Sequence, residues 1–85
     1  MENRTLKFLK SYLEAIGINE NDYQCITTQD TLGYLIVLTF SKENKSPSIG
    51  VLFGRNGRNL RILKQLLRVV GFSEKILPFL VIKMT

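Results

Sequence analysis

The chain contains no histidine, no tryptophan, a single cysteine and two prolines among its 85 residues. Without histidine, the usual general base and the usual nitrogen ligand for zinc are missing. Cys25 has no second cysteine to pair with inside the chain, and it reads as a small buried apolar residue rather than an activated nucleophile. The seven carboxylates are scattered singly. That pattern offers neither paired carboxylates for acid–base work nor a calcium or magnesium cage. No serine sits in a triad arrangement. The expectation is a protein without catalytic activity, metal or cofactor. Long apolar runs are also lacking, and none approaches the ~20 residues needed to span a bilayer. Leu6 to Ile16 is interrupted by Lys7, Lys10 and Glu14, so it reads as amphipathic rather than as a targeting segment. A soluble cytoplasmic protein is expected, with no membrane partner.

Against these absences stands an excess of positive charge. Twelve Lys and Arg against seven Asp and Glu leave a net charge of +5. Arg55, Arg58, Arg61, Lys64 and Arg68 fall within one short stretch that has no acidic residue, so the whole excess can be assigned there. Hydrophobic residues make up 45% of the chain, which suits a small packed core. A pI near 9.7 makes nucleic acid the leading partner class and an acidic membrane surface the second.

The pattern predicts one domain over residues 1–85, with elements in the order α-β-β-α-α-β. A first helix is expected from about Thr5 to Ile16, with Leu6, Leu9, Leu13 and Ile16 on one face and Gly17 as its stop. A hairpin should follow over 23–40, with turn chemistry at Thr28 to Thr31. Its second strand, Leu32 to Phe40, is so apolar that it reads as covered on both faces. Gly33 marks a bulge or a close backbone approach. Ser46-Pro47 is a helix start, and a short helix should run from Pro47 to Phe53 and stop at Gly54. A second helix is expected from about Arg58 to Val70, ended by Gly71, with Phe72 folding back on its last turn. Its wheel puts Leu60, Ile62, Leu63, Leu66, Leu67, Val69 and Val70 on one half and the basic residues on the other. A last strand is expected over 76–84, with Pro78 near its start. The long helical connection from Phe40 to Ile76 favours a parallel pairing of the last strand with the second. The fold class is therefore α+β: a three-stranded mixed sheet with three helices on one face.

Between the two later helices lies Gly54-Arg55-Asn56-Gly57. Two apolar residues, Leu52 and Phe53, precede it, and Leu60 and Leu63 follow at helical spacing. This combination resembles the core of the K-homology (KH) domain family, whose hallmark is Gly-x-x-Gly with a basic residue inside. Residues 49–67 carry the motif, and the element order resembles the type II arrangement over nearly the whole chain. Arg58 and the Leu66-Leu67 pair make it especially similar to the small stand-alone prokaryotic KH proteins. Phe53 stands where the family usually has Ile.

The resemblance implies a non-catalytic module that binds single-stranded RNA. Phosphates would be gripped at Gly54, Arg55, Asn56 and Gly57, helped by Arg58 and Arg61, and bases would lie in a groove walled by Ile49, Leu52, Phe53 and Leu60. Single-stranded DNA is an alternative ligand, and a protein-interaction or assembly module is an alternative role. Lys64 and Arg68, further along the helix, read equally well as a solvated face.

Overall fold

The computed structural model describes residues 3–85. α1 spans Arg4–Ala15, and Asn3 caps it, its side-chain carbonyl accepting from the Leu6 amide at 2.8 Å. Leu6, Leu9 and Leu13 form its buried stripe. The chain leaves α1 through Gly17 at φ +96°, a conformation that L side chains rarely adopt. A single 3-10 turn, Glu20–Asp22, leads into β1 (Tyr23–Gln29) and β2 (Tyr34–Phe40). The hairpin turn lies one to two residues later than expected, because the Asp30 carboxylate gathers the amides of Leu32 and Gly33 at 2.7 and 3.0 Å.

α2 (Pro47–Phe53) begins where Ser46 and Pro47 predict. After the glycine turn, α3 runs over Arg58–Ser73, and β3 over Pro78–Met84 closes the sheet. The strand order is β1-β2-β3, with β1 antiparallel and β3 parallel to the central β2. The architecture is α+β with a three-stranded mixed sheet, and the parallel pairing expected from the long crossover is present.

Three expectations need correction. Gly71 does not stop α3, which continues to Ser73. A Cβ at Gly71 would lie 2.7 Å from the Pro78 ring, so this glycine lets the start of β3 pass close to the helix. Phe72 does not fold back; it is 85% exposed. β2 is not covered on both faces: Tyr34, Ile36, Leu38 and Phe40 are buried while Leu35, Val37 and Thr39 between them are not. The core lies on one side only, where these residues and Leu80 meet Leu9, Leu13, Leu52, Leu63 and Leu67 from the helices.

In register, Gln24, Ile26 and Thr28 of β1 and Phe79, Val81 and Lys83 of β3 flank the uncovered residues of β2. α3 is likewise narrower in its buried stripe than its wheel suggested. Leu63, Leu67 and Gly71 are buried, whereas Ile62, Leu66 and Val69 are exposed.

Candidate nucleic-acid interface

The link between α2 and α3 is a 3-10 turn, Arg55–Gly57, with both Arg55 and Asn56 exposed. Its backbone needs the residues that are there. Gly54 sits at φ 71°, ψ 176°, a region essentially limited to glycine. Asn56 is left-handed at φ 56°, ψ 29°, which asparagine tolerates better than most residues. Gly57 is left-handed at φ 72°, ψ 15° and serves as the N-cap position of α3.

The two glycines do different work. A Cβ at Gly57 would meet nothing within 4 Å, so its bare backbone faces open space. A Cβ at Gly54 would lie 2.6 Å from the Asn59 side chain. The Asn59 amide group donates to the Val51 carbonyl at 2.8 Å, tying the first turn of α3 to the end of α2. Gly54 therefore makes room for this internal brace rather than for a ligand. Asn59 carried no recognisable signal in the sequence; an asparagine two residues after the motif looks like any polar helix residue.

The turn's amides are partly spent. Gly54 donates to Gly50, Gly57 to Gly54 and Arg58 to Arg55. The amides of Arg55 and Asn56 take no part in these bonds. α3 also begins without a side-chain cap and without an acidic residue in its first turn, whereas α1 and α2 are capped by Asn3 and Ser46. The start of this 16-residue helix thus has no side chain of its own standing between its positive dipole end and an anion.

Arg55, Arg58, Arg61, Lys64 and Arg68 are all exposed. Among the described residues none of these five side chains has a hydrogen bond or ion pair. Lys64 and Arg68 overhang the start of β3 and line, with Leu67 and Pro78 to Val81, a shallow cleft of about 190 Å³. β3 is an edge strand there, paired only with β2. The distal pair, equivocal in the sequence, therefore belongs to the same basic side of α3 that borders this strand.

The expected groove residues divide. Ile49, Phe53 and Leu60 are half-buried, each with surface a ligand can reach. Leu52 is 0% exposed and belongs to the core, so it is not a groove wall. The reason is helical geometry: the buried side of α2 turns Leu52 into the core while Val51 stays exposed. Among the described residues no three of Cys, Asp and Glu cluster as a metal site, and no helix is long and apolar enough to cross a membrane. No family model, curated protein or solved structure matches the chain.

Proposed function

We propose that the protein is a non-catalytic single-stranded RNA-binding module of type II KH character. The observation that carries this reading is the exposed glycine turn at the uncapped start of α3, bordered by five uncommitted cations. A phosphate at Gly57 meets bare backbone, the uncapped start of α3, and the guanidinium groups of Arg55 and Arg58. Arg61, Lys64 and Arg68 carry the positive field onward beside the edge of β3. Bases rest against Ile49, Phe53 and Leu60, where stacking and apolar contact select among them. The α-β-β-α-α-β element order, with the turn between its second and third helices, supports the same reading. Single-stranded DNA remains the alternative strand, and a protein partner docking on the basic helix the alternative class.

The test is an electrophoretic mobility shift with short homopolymer RNA and DNA at two salt concentrations. Binding should weaken as salt rises, by a slope of about 0.7 per phosphate contact in log–log form. Arg55→Asp combined with Asn56→Asp should abolish the shift while leaving the circular dichroism spectrum unchanged. Equal binding by wild type and this folded variant would overturn the reading.

A further inference from the structure

The basic side of α3 runs on past Leu60, the last apolar residue beside the glycine turn. Arg58, Arg61, Lys64 and Arg68 follow one another at steps of three, three and four, so they share one face of the helix. Counted from Gly57 at about 1.5 Å per residue, Lys64 lies about 10 Å along the axis and Arg68 about 16 Å. Together with Leu67 they form one wall of the cleft of about 190 Å³ whose other wall is the start of β3. Leu67 and Pro78 are buried there, whereas Phe79 is 43% exposed and Val81 39%. Phe79 also lines the hollow beside Leu35. A Cβ at Gly33 would lie 2.7 Å from its ring, so the ring is laid over bare backbone. The cleft therefore joins the cationic side of α3 to an exposed aromatic at the free edge of the sheet.

We propose, taking the glycine turn as a strand-binding site, that this cleft is a second subsite for the same nucleic-acid strand. Lys64 and Arg68 hold phosphates beyond the four or so nucleotides that a turn of this kind clamps, and a base of that stretch rests on Phe79.

Charge and backbone select the ligand. The whole excess of positive charge can be placed on the stripe that links the two sites, so a polyanion held at the turn is drawn along α3 into the cleft. An exposed aromatic beside cations suits a base, which stacks on a ring whatever its identity. An acidic peptide adding to the edge of β3 would instead meet Pro78 at the start of that strand, where there is no amide to donate.

Amide NMR on the isotope-labelled full chain, titrated with tetranucleotide and decanucleotide homopolymer RNA, reads both sites at once. At about 0.15 M salt, charges further apart than about 8 Å are largely screened, so distant cations contribute little to a strand held only at the turn. The tetranucleotide should shift the Gly57 amide and leave Phe79 and Val81 in place. The decanucleotide should shift all three. Lys64→Gln combined with Arg68→Gln should remove the shifts at Phe79 and Val81, and should weaken the decanucleotide at least about fivefold more than the tetranucleotide. Phe79→Ala should weaken the decanucleotide by about fivefold or more. Comparing variant with wild type at each length cancels the extra registers that a longer strand offers, and circular dichroism confirms that each variant is folded. Decanucleotide shifts confined to the turn, or equal losses at both lengths, would overturn the distal subsite and leave the turn standing. Shifts at Phe79 and Val81 with none at Gly57 would keep the cleft as a binding site and overturn the reading of the turn. No shift with either length overturns both. Shifts at Phe79 with oligoglutamate but not with RNA would give the cleft to an acidic peptide and overturn the proposal.

Discussion

Glu74, just past the end of α3, holds both donors of Thr5 at the start of α1: its carboxylate accepts from the Thr5 amide at 2.7 Å and the Thr5 hydroxyl at 2.8 Å. The Arg4 amide donates to the same carboxylate at 2.9 Å. Thr5 is 0% exposed, so its hydroxyl depends on this acceptor. One side chain thereby closes the end of one helix with the beginning of another. It also places negative charge where the α1 dipole favours it.

This clamp predicts a pH dependence. Desolvation pushes the Glu74 pKa up, but the hydrogen bonds from Arg4 and Thr5 and the Arg4 charge outweigh it and hold the carboxyl below the usual glutamate range. A group depressed in the folded state contributes stability above its unfolded pKa and loses it as pH falls through the folded value. Glu74→Gln should therefore lower the melting temperature at neutral pH. The gap between variant and wild type should shrink on acidification below the ordinary glutamate range. Thermal melts of both proteins across that range check this, and a gap independent of pH would contradict it.

The turn predicts unequal glycines. Gly57→Ala should cost about 1–2 kcal/mol, the price of a left-handed L-residue with free space around it. Gly54→Ala should cost more, because it adds a clash with Asn59 to an unfavourable backbone. Asn59→Ala alone should cost about 0.5–1.5 kcal/mol for the lost bond to Val51. Together, Gly54→Ala and Asn59→Ala should be less damaging than their sum, since the second removes the atoms the first strikes. Urea denaturation of the four variants measures this coupling; strict additivity would contradict the brace.

Under the proposed RNA-binding role, the division of the expected groove residues predicts a separation of stability from binding. Leu52→Ala should destabilise by about 2–5 kcal/mol and leave the RNA affinity of the folded fraction nearly unchanged, because Leu52 has no exposed surface. Phe53→Ala should do the reverse, with a smaller loss of stability and a loss of affinity of about 1–3 kcal/mol if its ring stacks on a base. Denaturation and mobility-shift titrations on the same preparations distinguish the two.

Much of the architecture was legible wherever a local signal and the hydrophobic period agreed. Ser46, Pro47 and Gly54 bracket α2 at its observed ends, and the long helical connection implied the parallel β3. Gly17 marked the left-handed exit from α1. Reading failed where a residue's role depends on something distant. Gly71 looks like a helix stop but answers to Pro78 across the core. Ile62, Leu66 and Val69 satisfy the period of α3, yet only the stripe of Leu63, Leu67 and Gly71 is buried. The apolar run of β2 implied a second cover that none of the described elements supplies. At the site, the glycine motif and the basic helix could be found from the sequence. The Asn59 brace and the burial of Leu52 could not, because both are set by how α2 is seated.

The parallel pairing of β2 with β3 has a kinetic consequence. It joins positions as distant as Tyr34 and Pro78, with α2, the glycine turn and α3 inside the closed loop. β3 finds no strand partner until that whole segment has been gathered in, so its pairing carries a loop-closure entropy cost that its local contacts with α3 do not. Zipping of the β1–β2 hairpin is local and quick by comparison. Stopped-flow refolding should be limited by docking of the C-terminal strand, whereas the bend at Gly54–Gly57, held by bonds between near neighbours, does not have to wait for that step.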